Sequence, residues 1–305
     1  MFSRLVGAYP TRCLQPQFVS ILGERDTDKW PLKLAGSAWF YKTYHNELLF
    51  VTAAHIIRED IKCYWLNVGS GELFRANVIG VDNDYDVAVL SIKCIEGDLE
   101  FAQPAIRSTP ISEGEIITLF ACSQLTLRPV RIQGAVAQGE QLVLDSFSTE
   151  SRIMYVQTDM TTLPGFSGCA VVDKNDQFIG MMAKKFQEYG LAIPSTIVTA
   201  IADSLIEGTL KLPVHLGLRV QCDCMRLGLN RIIGGLRVIN VEQGSIAEKV
   251  GLRNGDLITK INEKVCIGHP CQLTQELLTN RTIQLQVRRD EQIIEIELHL
   301  NQNNS

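Results

Sequence analysis

The sequence is short of several things, and each shortage removes a class of protein. Positive charge is scarce: 29 Lys and Arg stand against 34 Asp and Glu, a formal net charge of −5, and no run of five basic residues occurs. A nucleic-acid-binding surface needs a clustered cationic face, so no nucleic-acid partner is expected. No stretch reaches the length of about eighteen unbroken apolar residues that a membrane-crossing helix requires, so no membrane span is expected either. The opening residues, MFSRLVGAYPTRC, place Arg4, Pro10 and Arg12 where a secretory leader needs an apolar stretch. The 9 cysteines are an odd number scattered from Cys13 to Cys271, which is not the dense framework of a disulfide-stapled domain. Free thiols in a reducing compartment are the expectation, and with them a cytoplasmic location.

What is present is enough for two ordinary domains: 305 residues, 46% of them hydrophobic and 21% charged. From Gln17 to about Pro194 short apolar runs alternate with turn residues. They are Leu48–Thr52, Val87–Ile92, Ile116–Ala121, Leu142–Leu144, Ile153–Gln157, Ala170–Val172 and Phe178–Met182. Short strands spaced in this way predict an all-β barrel or sandwich. Helical periodicity is nearly absent until Ser195. That residue is placed to cap a helix with Ile197, Val198, Ile201, Leu205 and Ile206 on one face, and Gly208 is placed to stop it. The chain therefore divides into an N-terminal segment (1–16), a first domain (17–208), a linker (209–214) and a second domain (215–305).

The second domain mixes strands with two helices. Strands are predicted at Leu216–Val220, Leu236–Val241, Leu257–Ile261, Thr282–Arg288 and Ile293–Leu300. Ser245 with Glu248 three residues on forms a capping box that opens a helix ending at Gly251, and a second helix runs from about Gln272 to Thr279. A small α+β module results.

Three segments of the first domain carry residues suited to nucleophilic catalysis. His55 lies in FVTAAHII at the end of an apolar strand, where the small Ala53 and Ala54 let the imidazole project. Three acids follow in VDNDYDVAVLSI. Asp82 and Asp84 share a turn with Asn83, whereas Asp86 directly precedes the buried-looking VAVL and is the better candidate to orient an imidazole. Ser167 lies in TLPGFSGCAVVD, between glycines that permit a sharp turn. Such a turn can aim the N–H groups around Gly165, Phe166 and Ser167 at one point, as an oxyanion requires. The order His, Asp, Ser, with Cys169 where a Gly would close a G-x-S-x-G elbow, excludes the α/β-hydrolase arrangement at this serine.

TAAHI, DVAVL and PGFSGCAVV resemble the three catalytic blocks of trypsin-like serine proteases, and specifically of the HtrA (DegP-like) family. QTD ahead of the serine and GLAIPS at 190–195 resemble that family too, and the likeness runs from about Gln17 to Leu300. The resemblance implies a mostly β fold, a chymotrypsin-like double β-barrel followed by a small PDZ domain, and a serine endopeptidase without a cofactor. It implies His55, Asp86 and Ser167 as the triad. The base of the first substrate pocket falls near Thr161, with Thr162, Leu163 and Met182 as further lining. None of these carries a charge, which argues against cleavage after Lys or Arg. HLGLRV and GSIAEKVGLRNGDLITKIN resemble PDZ modules, which take an extended C-terminal peptide beside a free strand. By that resemblance the groove uses Leu216, Gly217, Leu218 and Val220, with the helix at 272–279 opposite. Protein or peptide substrates and assembly into a homotrimer or larger are implied as well.

The chain departs from the family pattern at Phe166, where Asn is usual, and at Cys169, where a second Gly is usual. Those two residues keep a second reading open, a catalytically weak scaffold that binds peptides through its PDZ groove. Phe166 also leaves no acid to pair with a freed N-terminus, so activation in the manner of trypsin is not expected. Cys222-x-Cys224 and Cys266-x-x-His269-x-Cys271 have zinc-ligating residue types but the spacing of no common finger, and no metal is expected. His45, His215 and His299 have no partners legible in sequence.

Overall fold

A computed structural model describes residues 18–25, 32–68, 73–93, 101–102, 104–107, 109, 111–122, 129–141, 153–209, 216–227, 231–266, 270–290 and 292–300. The expected N-terminal segment, the run Leu142–Leu144 and most of the expected linker lie outside these residues.

The first six strands are β1 (Phe18–Glu24), β2 (Leu32–Tyr44), β3 (Glu47–Thr52), β4 (Cys63–Asn67), β5 (Leu73–Asp82) and β6 (Val87–Lys93). They close into a barrel in the order β1-β2-β3-β6-β5-β4. The next six are β7 (Ile116–Cys122), β8 (Pro129–Gln141), β9 (Tyr155–Thr158), β10 (Ala170–Asp173), β11 (Phe178–Phe186) and β12 (Tyr189–Pro194). They close a second barrel in the order β10-β11-β12-β9-β8-β7. Closure removes the free sheet edges that such short, apolar strands would otherwise present. Their inward residues fill the interiors: Phe50, Leu66, Leu90 and Ile92 in the first barrel, Ile117, Leu119, Ile179 and Met182 in the second, each at most 1% exposed. Between the barrels the rings of Trp39 and Phe178 approach to 4.0 Å between centroids.

Helix α1 (Ser195–Glu207) leaves the second barrel and packs back on the first. Tyr41 Oη and Lys42 Nζ both reach Asp203 Oδ1, at 2.8 and 2.7 Å. On β5 a Cβ at Gly80 would stand 2.9 Å from the Leu205 side chain, so the helix rests directly on that strand. Ser195 does not cap this helix. It is the first helical residue, and Pro194 occupies the cap position without a side-chain bond. The stop is as expected, with Gly208 left-handed at φ 64° and its N–H donating to Ser204 O.

The second domain is a sheet in the order β13 (Leu218–Leu227), β14 (Arg231–Val241), β15 (Leu257–Ile261), β17 (Thr282–Arg289) and β18 (Gln292–His299), with β16 (Lys264–Val265) paired to β15. Helices α2 (Ile246–Lys249) and α3 (Pro270–Thr279) complete it. Ser245 Oγ accepts from Glu248 N–H at 3.2 Å as the capping box predicts, while the Glu248 carboxylate takes the N–H of Gly244. The alternation on the last two strands is realised, with Ile283, Leu285, Val287 and Leu298 fully buried. The first hairpin is longer than expected: β13 runs seven residues past Val220. CDCMR has no apolar alternation to announce it, and cross-strand pairing with β14 carries the strand onward. This domain touches the first through α3. Gln275 Oε1 accepts from Met154 N–H at 2.9 Å, and Leu278 packs on the core of the first domain.

Candidate active site

The first barrel supplies an imidazole and a carboxylate. His55 sits in a single 3-10 turn, Ala54–Ile56, directly after β3. Ala53 and Ala54 are buried, so the turn packs tightly and the ring is turned outward, 48% exposed. Asp86 ends the turn between β5 and β6 with φ 54°, a left-handed conformation that an aspartate tolerates better than most residues. Its carboxylate takes His55 Nδ1 at 2.9 and 3.0 Å and the His55 backbone N–H at 2.9 Å. An acceptor at Nδ1 fixes the tautomer that leaves the Nε2 lone pair free. The Asp86 side chain is 22% exposed, so it is largely but not wholly shielded from water. Of the other two acids, Asp82 accepts from Tyr85 N–H and shapes the turn, and Asp84 is exposed.

The second barrel supplies the serine. The turn from Leu163 to Cys169 is closed by Phe166 N–H to Leu163 O at 3.0 Å and Cys169 N–H to Phe166 O at 3.0 Å. Of the three N–H groups expected to face an oxyanion, that of Phe166 is thus committed inside the turn. Those of Gly165 and Ser167 donate to no group among the described residues. Gly165 has φ 98° and Gly168 φ 82°, both closed to ordinary side chains. At Gly168 the space is closed as well, because a Cβ would stand 2.2 Å from Ser37 O and 2.3 Å from Thr52 Oγ1. The serine turn is therefore pressed against the strands that lead to His55. Phe166 points into the second barrel, 3% exposed, beside Cys169 and Met182, and so anchors the turn in the core. Burial pushes the Cys169 thiol up, which keeps it neutral.

Sequence reasoning missed Ser37. It is fully buried on β2; its Oγ donates to Gly165 O at 2.7 Å and its N–H to Ser167 O at 2.9 Å. One residue of the first barrel thus holds the serine turn of the second at two points. The legible signal is the small run Ala35-Gly36-Ser37-Ala38 inside a strand of large residues, which marks a close backbone approach. Ala183 was missed too: its carbonyl accepts from Ser167 Oγ at 3.4 Å.

The residues expected around a first substrate pocket are not all alike. Thr161 is exposed and its Oγ1 donates to Glu188 O at 3.4 Å, while Thr162 is half-buried. Met182 is fully buried, its methyl 3.1 Å from where a Cβ on Gly190 would be. Leu163, the remaining residue expected as lining, is 58% exposed at the turn that Phe166 N–H closes on its carbonyl.

In the second domain Leu216 is buried and its carbonyl accepts from Ala247 N–H at 3.0 Å. Gly217 has φ 66°, and a Cβ there would meet Ser245 Cβ at 2.3 Å. Leu218 and Val220 pack half-buried on the core, and among the described residues β13 pairs with β14 alone, which leaves its other edge toward α3 unpaired there. Among the described residues no group of three His, Cys, Asp or Glu is placed to hold a metal. Cys222 and Cys224 are exposed on β13 and Cys266 is buried; His269 and the side chain of Cys271 lie outside the described residues. Among the described residues, no helix is long and apolar enough to cross a membrane.

Residues 36–181 match the trypsin-like peptidase domain, and residues 237–289 match the PDZ domain. The chain is 28% identical over 276 residues to the serine protease Do-like HtrA of Lactococcus lactis, covering 81% of this chain and 66% of that protein. It is 26% identical over 254 residues to the serine protease Do-like HtrB of Bacillus subtilis, covering 75% and 53%. The chain thus spans about half to two thirds of the length of these curated relatives. Among solved structures, the HtrA-type protease AlgW with tripeptide superposes with a TM-score of 0.61 at 20% identity over 93% of each chain, which speaks to the fold. A trypsin-like peptidase unit followed by a PDZ unit, with an HtrA relative matched over 81% of this chain, supports an HtrA-type serine protease with a PDZ domain.

Proposed function

We propose that the chain is a serine endopeptidase in which Ser167 is the nucleophile, His55 the general base and acid, and Asp86 the group that orients the imidazole. The observation that carries this reading is the His55 Nδ1 contact with Asp86 at 2.9 Å beside a serine turn locked to the same barrel by Ser37. Ser167 Oγ rests against Ala183 O, and in the reaction the hydroxyl would have to leave that contact for the free Nε2 of His55. Attack on a peptide carbonyl then passes the serine proton to His55, the carboxylate of Asp86 balances the imidazolium, and His55 returns the proton to the leaving amine. The unspent N–H groups of Gly165 and Ser167 would meet the developing oxyanion. Phe166 supports this chemistry, since its buried ring fixes the turn that a smaller polar residue would leave to water.

The uncharged Thr161, Thr162 and Met182 favour an aliphatic residue in the first substrate pocket. The free edge of β13, with Leu216, Gly217, Leu218 and Val220 at its start and α3 opposite, would receive the C-terminus of a peptide by strand addition. Assembly into a homotrimer or larger and a cytoplasmic location complete the reading. A fluorophosphonate probe tests it. Labelling of the wild-type chain and none of Ser167→Ala is expected, together with hydrolysis of unfolded protein by the wild type alone. A wild type that stays unlabelled with and without a C-terminal peptide refutes the enzyme and leaves a peptide-binding scaffold.

A further inference from the structure

We propose that Lys184 makes this site selective for substrates with an acidic residue immediately before the residue whose carbonyl is attacked. The proposal rests on the reading of Ser167 as nucleophile and adds the substrate class.

Strand β11 has one edge turned away from β12. Up to Met182 that edge is occupied, with Met182 N–H donating to Cys169 O and Gly168 N–H to Met182 O. Beyond it, β11 pairs only with β12, through Lys184 with Leu191, Lys185 with Gly190 and Phe186 with Tyr189. Apart from Ala183 O, which takes only the Ser167 hydroxyl, the main-chain groups from Ala183 to Lys185 on the side away from β12 are unpaired among the described residues. An edge of this kind takes up an extended peptide. Ala183 O lies 3.4 Å from Ser167 Oγ, so the peptide residue that pairs with Ala183 is the one presented to the nucleophile. Every ladder in this barrel is antiparallel, and an antiparallel peptide runs backward from that residue as β11 runs forward. The preceding peptide residue therefore lies opposite Lys184.

The Lys184 side chain is exposed, and its ammonium is held 4.7 Å from the centroid of the Tyr155 ring. Tyr155 itself is buried, 5% exposed. Burial pushes its phenol up and the Asp86 charge pushes the same way, which puts that ring within electrostatic reach of Asp86. Asp86, Tyr155 and Lys184 thus lead from the triad to the rim of the cleft. Among the described residues no carboxylate pairs with the Lys184 ammonium, whereas the neighbouring Lys185 has Glu188 at 3.8 Å. An unneutralised cation on an aromatic platform, facing the next residue of a bound strand, recognises an acid.

Directly opposed unlike charges on paired strands stabilise, and like charges oppose, each by a modest amount. Peptides with Glu and with Lys at that position are expected to differ by about three- to tenfold in kcat/KM at low salt, Glu being better, with Gln between them. The test uses three fluorogenic peptides that differ only there, with the cleaved bond located by mass spectrometry. Lys184→Met is expected to bring the Glu-to-Lys ratio near one, and Lys184→Glu to invert it. Because the ratio is taken within one protein preparation, it does not depend on how much of a variant is folded. A ratio that survives Lys184→Glu, or a wild type indifferent to charge, overturns the proposal while fluorophosphonate labelling of Ser167 still stands. A wild type that is not labelled overturns the proposal together with the nucleophile.

Discussion

Replacing Ser37 by alanine deletes one hydroxyl and leaves every main-chain group in place. The wild-type hydroxyl is fully buried and donates to Gly165 O at 2.7 Å. The second link from this residue, Ser37 N–H to Ser167 O at 2.9 Å, survives, as does Thr52 Oγ1 to Ser37 O at 2.8 Å. The substitution therefore strands a single carbonyl on the half-buried Gly165, at a cost of up to about 1–3 kcal/mol. That carbonyl belongs to the peptide joining Gly165 to Phe166, which sits between the two N–H groups proposed to meet the oxyanion. If the cost falls on the transition state, kcat drops by about 5- to 150-fold at 1.4 kcal/mol per decade. KM is expected to change little, because substrate pairing along β11 does not involve Ser37. Steady-state kinetics on titrated active sites, with a thermal melt beside them, separate the two ways the cost can appear. A lower melting temperature with kcat and the fluorophosphonate labelling rate at wild-type values refutes the positioning role and reduces Ser37 to a packing contact.

Asp86→Asn keeps the size of the side chain and removes the charge that fixes the His55 tautomer, so kcat is expected to fall on the order of 10⁴-fold with the fold retained; a loss under tenfold contradicts the assignment. Gly168→Ala and Gly244→Ala have similar backbone angles, φ 82° and 77°, but only the first puts its Cβ against Ser37 O at 2.2 Å, the second meeting nothing within 4 Å. Gly244→Ala is expected to cost about 1–2 kcal/mol in urea unfolding and Gly168→Ala clearly more, so equal midpoints would count against the packed turn. The Arg107 guanidinium, with Nη2 at 3.0 Å, holds the Glu115 carboxyl at about 2, below its ordinary 4.5. A depressed carboxyl contributes stability that is whole above pH 4.5 and is lost as pH falls toward 2. Screening at this part-exposed pair reduces the contribution to about 1 kcal/mol, and Arg107→Met is expected to remove it from the acid limb of the unfolding curve.

How far sequence carries the argument depends on the range of the interaction involved. The strand at Val87–Ile92 and the alternation on β17 and β18 are local patterns, and the structure realises them within a residue of their expected ends. The stop at Gly208 and the bond from Glu248 N–H to Ser245 Oγ are local chemistry and were equally legible. Ser195 was misjudged as a cap because Pro194, the last residue of β12 and still paired with Gly180, takes the cap position, so the helix starts one residue earlier than expected. What sequence could not reach are contacts between distant segments. Ser37 and Gly165 lie 128 residues apart, and nothing at either position names the other. Leu163 was named as pocket lining by resemblance; its exposure is set by the turn that Phe166 N–H closes on Leu163 O, a contact that sequence does not announce.

The site is divided between two closed barrels, each of which would keep its strands if the other shifted. His55 and Asp86 come from one barrel and share a hydrogen bond that needs no help from the second. Ser167 comes from the other, and its alignment with His55 depends on contacts across the seam. Those contacts include the two Ser37 bonds, the fit of Gly168 against Thr52 and Ala53, and the Trp39–Phe178 ring contact at 4.0 Å within an apolar core that both barrels share. The α1 helix adds a strap, since it leaves β12 and is tied to the first barrel by Asp203. A close-packed seam of this sort has discrete arrangements and does not slide continuously. Loss of any one contact is therefore expected to reduce the fraction of molecules with a competent serine more than it alters the chemistry of those that remain. That outcome appears as a lower active-site titre with an unchanged turnover per titrated site. Ser37→Ala differs, because it alters the oxyanion turn itself and lowers turnover per site.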